Sequence, residues 1–591
     1  MPVFCRVAAS VFSLSMVSVF ASLGLAQEIN PDTGSVRDLI GYTALAAELG
    51  SSMPDGAGSR IAIVEAFTGG AGNYLPNPAT FPGRTINDRG APPQGETAGV
   101  SGHANGSALN FFGPGSSSPA TDSIDAYSAG FWLGGGGLNF SANRAPLSQP
   151  YNVVNHSYIL RSSQNFGVPE AEDLLQRLDY YIDQNETLIV AGSSNGESTT
   201  LPLGLVASVN VLAVGRTDGM HGAAETTFYL PGRTKVDIVS SSIATDSASF
   251  STTSGATPVV ASVGSFLVDA AAGDADAIEV ETLKATLMAG ATKEEFPQWD
   301  RTTTRPIDER FGAGEVNVYH SYMIQAGGQY EGTSTLGGSV VGDHGWDYRD
   351  SLGSERFYRF VVGDDEYVNE FSIVMVWNVD ITDVGVAPLP FLPRPFVPSA
   401  NLVNLDLELF DDAGNVVDAS LSTVDNVEHI YIKDLAPGTY DLKVSGNADS
   451  DFAVAWRFIG SALPGDFNLD QAVDVTDIDH YSGNLGWAAG GELAQLDLDG
   501  DGQVTQADHD LHVTTLVQTS GEGFGTVIGD LNLDGQTDVL GDAFVLISNL
   551  GSNDSVGYAD GDLNADGVID VLNDAFRLIG NLGAQAVVPA S

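Results

Sequence analysis

The chain has 591 residues, room for several domains, a formal net charge of −52 and one cysteine. An acidic excess of this size, with no cluster of lysine or arginine to meet phosphates, excludes nucleic acid and anionic membrane surfaces as partners and points towards cations. A salt-rich habitat alone would smear such charge over the surface, whereas here much of it is patterned at the C-terminal end.

In chain order, Arg6 precedes an apolar run from Val7 to Leu25, and Gly24-Leu25-Ala26 stands before Gln27. This is the pattern of a secretory signal over residues 1–26, and it predicts an exported, extracellular or surface-associated protein. Cys5 leaves with that segment, so the mature chain is expected to hold no disulfide. Beyond it no apolar run reaches the roughly 18 residues of a membrane span. A short segment, 27–58, leads to RIAIVEAF, an apolar strand that ends on Glu65. SGHANGSA carries His103, and TLIVAGSSN is a second apolar strand closing on Asn195. The run TTSGATPVVASVGSFLVDAAA, 252–272, puts Ser254 on a polar turn before Val259, Val260, Val263, Phe266, Leu267 and Ala271, which recur at helical spacing. The free N–H groups at such a helix start favour developing negative charge. Taken singly, each residue has an ordinary reading as N-cap, surface histidine, turn asparagine or solvated carboxylate. Their order (acid, base, amide, serine) is what singles them out. Gly134–Gly137 reads as a flexible loop, because no GxGxxG runs from a strand into a helix there.

This order and the serine block resemble the subtilisin-like serine proteases over residues 55–325. Where that family has Gly-Thr-Ser-x-Ala-x-Pro, this chain has Thr252, Thr253, Ser254, Gly255, Ala256, Thr257 and Pro258, losing only the leading glycine. Where the family has Gly-His-Gly-Thr, it has Gly102, His103, Ala104 and Asn105. VNVLAVGRTDG at 209–219 and GAGEVNVYHSYMI at 312–324 are similar to flanking family segments. The resemblance implies an α/β catalytic domain over 59–328, a mostly parallel sheet flanked by helices, acting on protein or peptide. It implies that His103 takes the Ser254 proton, that Asn195 and a backbone N–H hold the oxyanion, and that Glu65 replaces the family's aspartate in orienting His103. Two departures bear on activity. Ser157-Tyr158-Ile159 replaces the Ser-Leu-Gly of the family's substrate strand, so Tyr158 is expected to obstruct the cleft, and 27–58 is shorter than the usual folding prodomain. An active endopeptidase of reduced turnover therefore stands against a degenerate fold kept for binding or extracellular assembly.

From 329 to 460 alternating strands follow (RFYRFVVG, NEFSIVMVWNV, NLDLELFD, VEHIYIKDL and TYDLKVSG), joined by turns such as DDAGN and APGTY, and predict a β-sandwich. The module resembles the jelly-roll, pre-peptidase C-terminal-like domains that follow catalytic domains of secreted bacterial proteases. Its Pro-rich stretch 386–398 should form an extended surface loop.

Between Ser461 and Ser591 the sole lysine or arginine is Arg577, and oxygen donors recur in four loops. The first holds Asp466, Asn468, Asp470, Asp474 and Asp477, the second Asp497, Asp499, Asp501 and Asp508. The third holds Asp530, Asn532, Asp534, Asp538 and Asp542, the fourth Asp562, Asn564, Asp566, Asp570 and Asp574. Donors at alternate positions of a tight loop suit Ca2+, which takes six to eight oxygens. Position 12 is Asp477 and Asp508 in the first two loops but Gly541 and Asn573 in the others, so there either the loop is one residue longer or the following acid begins the helix. The loops, spaced by 31 and 32 residues within pairs, resemble dockerin repeats of the EF-hand-like type, paired over 461–520 and 525–585. That resemblance implies short α-helices after each loop, calcium as cofactor, and a cohesin-like or cell-surface partner.

Overall fold

The computed structural model describes residues 36–160, 168–202, 204–242, 252–293, 295–363, 367–387, 394–461, 465, 467, 473–487, 493, 496–519, 523–553 and 556–586. The expected signal segment and the loop residues Asp466, Asn468 and Asp470 lie outside them. The chain forms two compact units, a larger one over 27–361 and 370–458 and a smaller one that holds 459–591.

The larger unit is organised by seven parallel strands: β1 (Ile61–Glu65), β2 (Thr85–Asp88), β3 (Ser123–Ser128), β4 (Val153–His156), β5 (Leu188–Gly192), β6 (Leu212–Arg216) and β7 (Ile238–Ser240). Their order is β7-β6-β5-β4-β1-β3-β2. Every residue of β1, β4 and β5 is buried, as the near-continuous apolar runs of a sheet covered on both faces require. Glu65, the last residue of β1, stands in register with Ser128, while Val64 pairs with His156 on the other side. The carboxyl end of β1 is thus where the strand order turns back on itself, the place at which open α/β sheets form their crevice.

Helices α1 (Val36–Leu39) and α2 (Tyr42–Leu49) belong to this domain rather than preceding it. Val36, Ile40, Tyr42 and Leu45 join the main hydrophobic core, and the Val318 N–H donates to the Ile40 carbonyl at 2.8 Å. α3 (Gly102–Phe112) and the central α5 (Thr253–Ala270) pack on each other; α4 (Val168–Asn185), α6 (Val280–Ala289) and α7 (Val318–Gly327) complete the layers.

The sandwich consists of β8 (His344–Arg349), β9 (Arg356–Val362), β10 (Tyr367–Val376), β11 (Leu405–Phe410), β12 (Val416–Ser420), β13 (Val427–Leu435), β14 (Gly438–Gly446) and β15 (Phe452–Ser461). They form two four-stranded sheets, β8-β15-β10-β13 and β9-β14-β11-β12. β11 alternates buried and half-buried residues along its length, the signature of a strand with one face on the core. In the Pro-rich stretch Val386 is exposed, yet Phe396 is buried, edge-on to Tyr180 with the Arg177 guanidinium over its ring. The loop is therefore pinned to the α/β domain at one end, a contact that its composition did not announce.

In the smaller unit the helices are short: α8 (Val475–Ile478), α9 (Gln506–Thr515), α10 (Phe544–Asn549) and α11 (Phe576–Asn581). One hydrophobic cluster draws Val473, Ile478 and Val513 together with Leu531, Leu546, Tyr558, Leu563 and Leu578, so residues of all four repeats share it.

Candidate active site

Glu65 is fully buried, and its Oε2 lies 2.6 Å from Nδ1 of His103. The helix start that carries His103 is fixed locally: Ser101 is the N-cap of α3, its Oγ accepting the Ala104 N–H at 3.2 Å. Burial lowers the imidazole pKa, but the hydrogen bond and charge of Glu65 outweigh it, and the net effect raises His103 above its ordinary value. The second carboxylate oxygen, Oε1, is buried with no hydrogen-bond partner among the described residues. One extra methylene relative to aspartate is thus accommodated with the Nδ1 bond intact. This contact fixes the tautomer, since an Nδ1–H held by a carboxylate leaves Nε2 as the basic nitrogen.

Ser254 is the second residue of α5, half-buried, with Thr252 as N-cap accepting the Gly255 N–H at 3.2 Å. α5 contains Pro258, which has no N–H to offer the carbonyl four residues back, that of Ser254. Ser157 supplies the missing donor: its Oγ–H donates to the Ser254 carbonyl at 3.2 Å, and the Ser254 Oγ–H donates to the Ser157 carbonyl at 3.2 Å. The Asn110 amide, on α3, donates to the Gly255 carbonyl at 2.9 Å and ties the histidine helix to the serine helix. Asn195 Oδ1 accepts both the Thr253 N–H and the Thr253 hydroxyl at 2.9 Å. That orients the amide beside the start of α5 with its NH2 as the remaining donor. Gly192, at the end of β5, permits this approach: a Cβ there would come within 2.5 Å of Thr257 Oγ1.

Tyr158 was expected to obstruct the cleft. Instead its ring packs against the hydrophobic core and its hydroxyl shares a 3.1 Å hydrogen bond with Nδ1 of His156. Burial, with the nearby Glu65 charge, drives its phenol far above the ordinary range, so it stays a neutral hydroxyl. His156 is buried against Trp132 and burial lowers it to about 3, so it too is neutral. The sequence gives no role to Asn110 and names Ser157 only within the substrate strand; the proline at 258 is the signal for Ser157, because a helical proline orphans a carbonyl that something must satisfy.

The carboxylates of Asp497, Asp499 and Asp501 converge, with one oxygen of each within 4.8 Å of the others. Acceptor-only oxygens so gathered fit a hard cation. The question of position 12 has a geometric answer. Asp477 accepts the Phe467 N–H at 2.7 Å and the Asp474 N–H at 2.9 Å, and Asp508 accepts those of Asp499 at 3.0 Å and Thr505 at 2.7 Å. Asp542 takes the same place, accepting from Leu531 at 2.8 Å and Asp538 at 2.6 Å, as does Asp574 with Leu563 at 2.9 Å and Asp570 at 2.7 Å. The extra residue is absorbed by a single π-turn, Val539–Ala543 and Val571–Ala575. Asp538 and Asp570 serve as N-caps of these turns, and Asn532 and Asn564 each accept the N–H two residues on.

The parallel sheet, the buried carboxylate–imidazole pair and a serine at a helix start define a subtilisin-like hydrolase domain. Residues 90–314 match the model of the subtilase family, Peptidase_S8, and the chain carries a subtilase domain there; His103, Asn195 and Ser254 fall inside the matched stretch and Glu65 just upstream. Among solved structures the chain is similar to fervidolysin from Fervidobacterium pennivorans, a keratinolytic enzyme related to subtilisin (11% identity, 72% of this chain, 79% of that chain, TM-score 0.31). It is also similar to the patellamide maturation protease PatA (19% identity, 46% of this chain, 97% of that chain, TM-score 0.30). A further similarity is to the pre-peptidase C-terminal domain of a Bacillus anthracis collagenase (14% identity, 20% of this chain, 93% of that chain, TM-score 0.14). No curated protein matches the chain.

Proposed function

We propose that this protein is a secreted serine endopeptidase that cleaves peptide bonds through an acyl-enzyme. The observation that carries the reading is the 2.6 Å contact between buried Glu65 and Nδ1 of His103, on a helix bonded to the one that carries Ser254. His103 Nε2 accepts the Ser254 proton as the Oγ attacks the peptide carbonyl, and returns it to the leaving amine; Glu65 stabilises the imidazolium formed in between. The oxyanion is held by the Asn195 NH2 and a backbone N–H at the start of α5, where the helix dipole adds to the field. For this to proceed the Ser254 hydroxyl turns from the Ser157 carbonyl towards His103. That same bond to Ser157 favours the second reading, a subtilase fold retained for binding. A fluorophosphonate probe separates the two: labelling abolished by Ser254→Ala and His103→Ala supports the enzyme, and no labelling of folded protein supports the binding fold.

The C-terminal loops are read as calcium-dependent dockerin-like repeats, with Asp497, Asp499 and Asp501 among the residues that would hold the ion. Calcium would supply the charge that lets these loops close; it takes no part in the hydrolysis. Attachment through a cohesin-like or cell-surface partner is supported by a duplicated apolar face, with Leu540, Phe544 and Ile547 in one repeat matched by Leu572, Phe576 and Ile579 in the next, all exposed. Export rests on the N-terminal pattern from Arg6 to Gln27.

A further inference from the structure

Away from the serine, three glutamates converge inside the larger unit. Glu186 follows the C-terminal end of α4, Glu279 is the N-cap residue of α6, and Glu281 lies in the first turn of α6. One carboxylate oxygen of each lies within 4.8 Å of the others. Glu281 is 1% exposed, and its Oε2 is buried with no hydrogen-bond partner among the described residues. No lysine, arginine or histidine pairs with any of the three among the described residues, and Asp183, Asp276, Asp350 and Asp451 add to the negative field.

Two local features set these residues apart from ordinary helix ends. Glu279 sits at an N-cap, where a carboxylate would accept a free N–H, yet makes no capping bond and meets Glu186 instead. Glu186 has φ 46, the left-handed conformation that a helix end normally gives to glycine, and so retains a carboxylate where glycine would be unstrained. Three carboxylates gathered this closely, with Glu281 buried, repel one another when charged. An ion in their midst removes that conflict.

We propose that Glu186, Glu279 and Glu281 form a binding site for a divalent cation of the calcium class, in the subtilase domain beside the sandwich strand β8. The donor set is all oxygen with no histidine or cysteine, which suits calcium rather than zinc or copper. The bound ion joins the end of α4 to the start of α6. α6 packs on β8, and Tyr348 of β8 lies within the electrostatic reach of all three glutamates, so occupancy also braces the catalytic domain against the sandwich. The site is independent of the C-terminal loops and does not rest on their reading.

The test is calcium stoichiometry by titration calorimetry on the full chain freed of divalent ions. Glu281→Gln, and separately Glu186→Gln with Glu281→Gln, should each bind one ion fewer than the unaltered chain. A chain with Asp497→Asn, Asp530→Asn and Asp562→Asn should keep that ion whatever the C-terminal loops bind. A folded Glu281→Gln chain with unchanged stoichiometry would overturn the proposal and leave the cluster as carboxyls sharing protons. Should the glutamine variants not fold, terbium bound to the unaltered chain and excited through tyrosine gives a second readout. Tyr348→Phe should lower the sensitised emission at equal terbium binding, and equal emission overturns the site.

Discussion

The hydroxyls of Ser157 and Ser254 each donate to the other residue's carbonyl at 3.2 Å, a reciprocal pair that closes the gap Pro258 leaves in α5. The catalytic candidate is therefore held to the substrate strand by its main chain as well as its side chain. Ser157→Ala leaves the half-buried Ser254 carbonyl without this donor, which costs about 1 kcal/mol, the low end of the penalty for an unsatisfied group. The measurable outcome is a lower thermal midpoint of the larger unit with Glu65 and His103 untouched; an unchanged midpoint would show that the carbonyl needs no partner.

The pH dependence follows from the sign of the His103 shift. His103 lies above its ordinary 6.5 because the Glu65 hydrogen bond and charge overcome burial, and only the neutral imidazole acts as base. Hydrolysis should fall as pH drops through that raised value. Glu65→Gln removes the raising influence and leaves burial, so the acidic limb moves to lower pH while turnover drops about 10⁴-fold, the size of the loss when a triad acid becomes its amide. In stability the pair's contribution is full below the unfolded value and is lost as pH rises through the folded one. A pH–rate profile that does not move in Glu65→Gln would show that the carboxylate has no hold on the base.

Asn195 has two duties that substitutions can separate. Asn195→Asp keeps an oxygen for the Thr253 N–H and hydroxyl but removes the amide donor. It should lower kcat by about 10²–10³-fold, as loss of one oxyanion donor does, with thermal stability retained. Asn195→Ala should lose both. Equal kcat in the aspartate variant and the unaltered protein would remove Asn195 from the oxyanion site.

In the C-terminal unit Asp574 holds the same hydrogen-bonded place in its loop as Asp508 does in its own. Asp574→Ala is expected to weaken calcium binding as much as Asp508→Ala, because each bridges two loop N–H groups. Asn573, whose amide donates to Asp570, should tolerate alanine with affinity unchanged. Calcium titrations of the three variants decide this. Chelation should also reduce the far-UV circular dichroism of the full chain, and an unchanged spectrum would argue against calcium-dependent folding of these loops.

By itself the sequence determined what depends on neighbours along the chain. The buried runs of β1, β4 and β5, the helix after Ser254, the alternation in β11 and the Asp-x-Asp loops are local periodicities, written in residues two to four apart. The succession of Glu65, His103, Asn195 and Ser254 was legible through their order and the resemblance of the blocks that carry them. Tertiary structure alone decided what depends on residues distant in sequence. Whether the longer Glu65 side chain still meets Nδ1 of His103, that Ser157 answers Pro258, and that Tyr158 turns inward to His156 are outcomes of packing between strands and helices. The π-turns that bring Asp542 and Asp574 into the place of Asp508, and the meeting of Glu186 with Glu279 and Glu281 across nearly a hundred residues, belong there too. The reason is physical: a side chain's local conformation is biased by its neighbours in sequence, but its partner is chosen by which segments the folded core brings within a few ångströms of it.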